Sequence, residues 1–215
     1  MKRSKITILL AIVLGMTFHS CLDLEPQDQL GGKNMWTSVN DYKQFANTFY
    51  SWTRDFSSVV YDGTHSDKRS DLITYQSYNE FSRGINSIPS SDANYTDNYK
   101  HIRRTNLLLQ NAEAYAKPED IKQYIGEAYF FRAYSYFDLL QLYGDVIITK
   151  KPLDITDPEM KVKRNDRSEV VDLIIDDLNH AVENLPAFKE LTTEEEGRIS
   201  KEGAQAFLSR VALYE

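Results

Sequence analysis

Residues 118–144 leave few choices of architecture. Pro118 stands where a helix would begin, and Gly144 follows Tyr143 as a stop. Between them Ile121, Ile125, Ala128, Arg132, Ser135, Leu139 and Leu142 recur at helical steps and mark one face. Yet Tyr129, Phe130, Phe131, Tyr134, Tyr136 and Phe137 spread aromatic rings to nearly every other side. A helix that is apolar all round is a buried one. This segment therefore needs other elements packed on more than one of its faces.

The same three- and four-residue steps supply those elements. A first helix opens at Trp36 with Val39, Tyr42, Phe45, Ala46, Phe49 and Tyr50, and Ser38 or Asn40 is its expected N-cap. A second runs from about Asp97 to Tyr115 with Tyr99, Ile102, Asn106, Leu109 and Ala112 on one side. After the 118–144 helix, Val146, Ile147 and Ile148 read as a short extended exit rather than a sheet. Asp166 or Ser168 caps a fourth helix with the stripe Val170, Val171, Ile174, Leu178, Ala181 and Leu185, ended by Pro186. A fifth begins near Ser200 and carries Ala204, Phe207, Leu208, Val211 and Tyr214. The expectation is an all-α chain of tetratricopeptide-like helical hairpins. One stretch resists it: Arg54 to Asn94 has no sustained helical period, and an irregular insert of that length is usually a functional loop or disordered. The last helix has no capping residue after it and its apolar face is still running at Glu215, so the chain reads as truncated at its C-terminus.

The N-terminus reads as an address. Lys2, Arg3 and Lys5 precede the apolar run Ile8 to Met16, too short for a membrane span at ~18 residues and suited to a signal peptide. Cys21, the one cysteine, follows Ser20 where such a peptide is cut, as in a bacterial lipobox. The expected organisation is a lipoprotein signal peptide over 1–20, a lipidated leader over 21–35 and a helical domain over 36–215. Loss of three positive charges with the peptide takes the formal net charge from −7 to −10. Nucleic acid, which needs a basic footprint, is excluded as a partner, and so is peripheral binding to anionic lipid.

Several segments together resemble the SusD/RagB family of nutrient-uptake outer-membrane lipoproteins. They are Cys21-Leu22-Asp23-Leu24-Glu25-Pro26, Tyr99-Lys100-His101-Ile102-Arg103-Arg104-Thr105-Asn106, and Glu127 to Phe137 with Tyr143-Gly144-Asp145-Val146. Arg167-Ser168, Asp177-Leu178-Asn179, Leu185-Pro186 and Gly197-Arg198-Ile199-Ser200-Lys201 complete the series in family order. Ile147 departs from the family's usual Pro, and Tyr95 from a frequent Trp. Family members are generally more than twice as long, so the chain resembles their N-terminal part. The resemblance implies a lipid-anchored protein on the outside of the outer membrane, over a SusC-like TonB-dependent porin. There it would bind an oligosaccharide or other nutrient and deliver it without catalysis. The residues alone leave two other readings open: a helical-repeat interaction module or gene fragment that binds no ligand, and a glycoside hydrolase.

For the chemistry, Arg132 on an apolar face demands a buried partner, and Glu127, Asp138 and Asp177 are the candidates. Asn106 is expected to satisfy backbone groups. Arg132, Asn106 and Glu127 are thus assigned structural, buried roles. The histidines lack metal-ligand spacing, so no metal or cofactor is expected, and no catalytic motif is present. The better candidates for ligand contact are aromatics in or beside the insert, Trp52, Tyr61, Tyr75, Tyr78 and Tyr95, interleaved with the polar Asp67 and Arg69. A sugar ring packs its C–H face on such planes while its hydroxyls bond to carboxylate and guanidinium groups.

Overall fold

Helix α1 (Val39–Asn47) starts at Ser38, whose hydroxyl accepts the Asp41 amide while the Asp41 carboxylate accepts the Ser38 amide at 2.8 Å, a reciprocal cap. The computed structural model describes residues 35–54, 80, 82–85, 87–153 and 156–215. Ahead of the cap, Trp36 sits in the left-handed region at φ 78° and folds its ring back onto Tyr42 and Phe45. A 3₁₀ turn, Thr48–Trp52, carries the stripe on, burying Phe49.

Helix α2 (Ala93–Glu113) begins four residues earlier than the apolar stripe predicts. Its start is set by Asp92, whose carboxylate accepts the Asn94 amide at 2.9 Å and the Tyr143 hydroxyl at 2.7 Å. Tyr95 therefore sits in a helical first turn, not in the insert. The described part of the insert holds no helix before Ala93. In the Leu107-Leu108-Leu109 run it is Leu108, not Leu109, that is fully buried.

Helix α3 (Lys122–Tyr143) follows a 3₁₀ turn opened by Pro118 and closes at Gly144 with φ 69°. Thirteen of its 22 residues are buried, on all sides, which makes it the axis of the fold. It packs against α2, against α1 and against α4 (Arg167–Asn184), which in turn packs on α5 (Lys201–Tyr214). Asp166 caps α4 with Glu169 in the reciprocal arrangement, and Ser200 caps α5. Between α3 and α4 the extended exit makes a single antiparallel bridge, Val146 to Asn165, and no strand forms among the described residues. The expected fold class stands: an all-α unit of paired helices over Trp36–Glu215, interrupted by a long insert between α1 and α2.

Two stripes shift. In α4 the inner face is Val170, Leu173, Ile174, Asp177, Leu178 and Ala181, so Leu173 and Asp177 replace Val171. In α5 the apolar face is partly covered from within. Phe207 packs its ring near Phe130, Tyr134 and Phe137, and Tyr214 meets Phe137 edge-on, while Leu213 is 89% exposed.

Gly126 marks the tightest approach of α3 to the end of α4. A Cβ there would lie 2.9 Å from the Leu185 side chain and 3.0 Å from its backbone nitrogen. Gly126→Ala is expected to strain this contact by roughly 1–3 kcal/mol, of which better helix propensity returns about 1 kcal/mol. Thermal unfolding should show a midpoint below wild type. A midpoint at or above it would mean that the end of α4 moves aside freely.

Candidate functional site

Two buried polar clusters hold the helices that carry the surface. Arg132 grips Asp177 of α4 with Nε at 2.8 Å and Nη2 at 2.6 Å, and its Nη1 donates to Asn106 Oδ1 at 2.8 Å. Asn106 in turn donates to the carbonyls of Thr149 and Lys151 at 3.0 and 3.2 Å, tying the extended exit to α2. The Tyr136 hydroxyl completes the tie, accepting the Thr149 amide at 2.8 Å. Burial pushes the Asp177 carboxyl up, and the two charge-assisted bonds from Arg132 pull against it. Of the three candidate partners for Arg132, Asp177 is the one used. Asp138 pairs with Arg54, and Glu127 pairs elsewhere.

Glu127, fully buried, accepts two bonds from Arg198 at 2.8 and 2.7 Å, although 71 residues separate them. Arg198 also donates to Asn47 Oδ1 and lies against the rings of Tyr50 and Tyr124. The Tyr50 hydroxyl accepts the Ile199 amide at 3.0 Å. This cluster pins the segment before α5 to α1 and α3.

On the surface, Tyr95 and Tyr99, one turn apart on α2, line a cleft of about 390 Å³ with Ile147 and Leu153 opposite. That is within the ~300–1,000 Å³ range of small-molecule sites. The Tyr95 and Tyr99 ring centroids are 4.8 Å apart, and Tyr95 meets Tyr143 edge-on. Tyr99 donates to the Ile147 carbonyl at 2.8 Å, and burial pushes its phenol well above the usual tyrosine value. Arg103 donates to the Leu153 carbonyl at 3.0 Å. Lys100 and the Lys151–Glu159 pair complete a charged rim around the apolar floor. Aromatic planes below and hydrogen-bonding groups at the edge suit a ring with one apolar and one hydroxylated aspect.

Trp52 stands apart from this cleft, at the end of the 3₁₀ turn. Its indole stacks on His101 with centroids 4.1 Å apart and planes 14° from parallel, and it leans on Phe49 and Phe131. It lines a second, smaller cavity of about 160 Å³ with Asn98, His101, Tyr134 and Asp138. Burial depresses His101 to about 4; Asp97 pulls it up, while Arg104 and Lys100 push it further down, so its imidazole is neutral at ordinary pH. Of the residues singled out in the sequence, then, Trp52 and Tyr95 serve different cavities. Tyr61, Asp67, Arg69, Tyr75, Tyr78 and Cys21 lie outside the described residues. Reasoning from sequence missed Tyr99, Asn98, His101 and Tyr134 as lining residues. The pairing of Tyr95 with Tyr99 at i, i+4 was the available signal. Among the described residues no helix is long and apolar enough to cross a membrane, and no group of three or more His, Cys, Asp or Glu could hold a metal ion.

A family model of SusD-like proteins, described as starch-binding and associating with the outer membrane, matches residues 22–213. Two SusD-like proteins of Formosa agariphila, P38 and P2, are each 28% identical over 99% of this chain, which spans 42% and 43% of their lengths. A SusD-like protein of Bacteroides fragilis superposes with a TM-score of 0.71 at 28% identity, covering 88% of this chain and 37% of that one. A laminarin-binding SusD-like protein, 30% identical, gives a TM-score of 0.55 over 62% of this chain and 29% of its own. The chain thus spans less than half the length of these relatives. With the model matched from residue 22 to 213 and the helical scaffold superposing on solved members, this chain belongs to the SusD-like family.

Proposed function

We propose that this chain is a glycan-binding lipoprotein on the outer face of the outer membrane that hands its ligand to a SusC-like TonB-dependent porin. The observation that carries the reading is the family match over residues 22–213, whose description joins starch binding to outer-membrane association. The laminarin-binding relative adds a second glucan to the substrates such a scaffold serves. Cys21, behind its basic and apolar leader, is the lipid attachment point, and residues 21–35 are the tether. The chain binds rather than hydrolyses. The Tyr95–Tyr99 cleft offers an aromatic floor with charged groups at its edge, a surface for a sugar ring.

The test uses the full chain. Native-gel retardation in soluble starch and in laminarin should slow the wild type in at least one, and Tyr95→Ala should weaken that retardation several-fold. Reducing sugar should not accumulate. Migration unaffected by either polysaccharide would overturn glycan binding, and steady release of reducing ends would replace it with hydrolysis. Labelling of cells with a palmitate analogue should mark the wild type and leave Cys21→Ala dark.

A further inference from the structure

A groove of about 560 Å³ between the turn that follows α1 and the first part of α5 is larger than the tyrosine cleft and differs from it in charge. The chain carries 32 Asp and Glu against 25 Lys and Arg. Yet the described residues that line this groove include three arginines, Arg54, Arg198 and Arg210, and no carboxylate. Two of the three are neutralised from outside the groove. Arg54 pairs with Asp138, which lines the smaller cavity, and Arg198 pairs with the fully buried Glu127. Arg210 is different. It is exposed on α5 and makes no hydrogen bond, ion pair or ring contact with any described residue. Ser200 and Gly203 bring the N-terminal end of α5 to the same wall, and its dipole adds to the positive field.

The aromatic floor selects nothing by itself. Phe207 rests on Phe130, Tyr134 and Phe137, and Tyr50 on Phe131, so these rings already have their partners. What the groove lacks is an acid to answer Arg210. The Arg54 guanidinium lies 5.9 Å from the Tyr134 ring centroid, Tyr134 leans on Phe207, and Arg210 follows Phe207 by one helical turn. An anion in the groove would therefore meet one unpaired guanidinium and the cationic ends of two ion pairs, with no lining carboxylate to repel it. The planar fork of Arg210 suits an edge of two oxygens, as a carboxylate or a sulfate presents. The volume exceeds what an inorganic ion needs and lies within the ~300–1,000 Å³ of organic-ligand sites. We propose that this groove is a subsite for an acidic sugar unit, its carboxylate or sulfate held by Arg210. The charge selects the anion, and the sugar that carries it rests on the glycan-binding reading.

The experiment titrates the full chain by calorimetry with digalacturonate, galactose 6-sulfate, methyl galactopyranoside and a hexaglutamate peptide. At least one of the two acidic sugars should bind, and which one does tells carboxylate from sulfate. Methyl galactopyranoside should bind at least about tenfold more weakly. Arg210→Gln should weaken the acidic sugar about tenfold, the loss of one charge-assisted contact. It should melt as wild type does, because the side chain is exposed and unpaired. Lys163→Gln removes an exposed cation outside the groove and should leave the affinity unchanged. An equal loss in both variants would mean diffuse attraction to the surface and would overturn the subsite. So would Arg210→Gln binding as tightly as wild type, or equal affinity for the neutral galactoside. Hexaglutamate bound more tightly than either sugar would assign the groove to an acidic polypeptide instead. Should starch or laminarin retard the chain in gels while both acidic sugars stay silent, the subsite alone falls. If no glycan binds by either method, the subsite falls with the reading beneath it.

Discussion

Arg132→Ala should lower the free energy of unfolding by about 3–5 kcal/mol, the usual loss when one member of a buried ion pair is removed. The reason is what stays behind. Asp177 is fully buried and would keep a carboxylate with no guanidinium bonded to it and only the more distant pull of Lys150, and Asn106 Oδ1 would lose its donor. The damage should spread beyond α3 and α4, since Asn106 also anchors the Thr149 and Lys151 carbonyls. Urea unfolding is the measurement, read as a fall in midpoint with little change in slope. The double change Arg132→Met with Asp177→Leu should recover much of the loss, because it removes both charges and fills the space with apolar atoms. A single mutant with the wild-type midpoint would show that Asp177 is hydrated after all. The network would then have no part in holding α2, α3 and α4 together.

The elements most legible in the sequence are those whose ends carry punctuation. Pro118 and Gly144 bracket α3, Ser200 opens α5 and Pro186 follows α4, and each falls where its backbone chemistry requires. The start of α2 was missed because Ala93 to Thr96 contributes no apolar stripe. The turn is helical because Asp92 caps it and Tyr143 buttresses the cap from α3, a contact 51 residues away. That one shift moved Tyr95 from a loop to a helix and turned it from an isolated aromatic into a partner of Tyr99. Leu108 displaced Leu109, and Leu173 displaced Val171, for a shared reason. Leu107-Leu108-Leu109 in α2, and Val170-Val171 with Leu173-Ile174-Ile175 around a single Asp172 in α4, satisfy several phases of a 3.6-residue period, and the buried Asn106 and Asp177 widen the inner face. The need for a partner at Arg132 was readable from its apolar surroundings, yet three carboxylates qualified and only packing could select Asp177. The 160 Å³ cavity had no sequence signal at all, because it gathers Trp52, α2 and α3 from segments without a common motif.

Arg198→Met should be comparably damaging, by about 3–5 kcal/mol at neutral pH, and its loss should depend on pH in a way that names the cause. Arg198 gives two bonds, of 2.8 and 2.7 Å, to Glu127, whose side chain is wholly shielded from solvent. Burial already pushes the Glu127 carboxyl above its ordinary 4.5, with Arg198 pulling it back. Without the guanidinium, the hydrogen bonds from Tyr50 and Gln123 still pull against burial, but the strongest opposition is gone, and the folded variant holds a proton on Glu127 at pH values where the unfolded chain has released it. An acid raised in the folded state is most compatible with folding below its unfolded value, and the penalty grows as pH rises toward the folded value. The gap between Arg198→Met and wild type should therefore narrow as pH falls from 7 toward 4.5. Adding Glu127→Gln to Arg198→Met should flatten that dependence, since the amide carries no proton to titrate. Urea midpoints for wild type and both variants across this range make the comparison. A gap that stays constant with pH would mean that Arg198 acts only through Asn47, Tyr50 and Tyr124, and that Glu127 has found another way to stay charged.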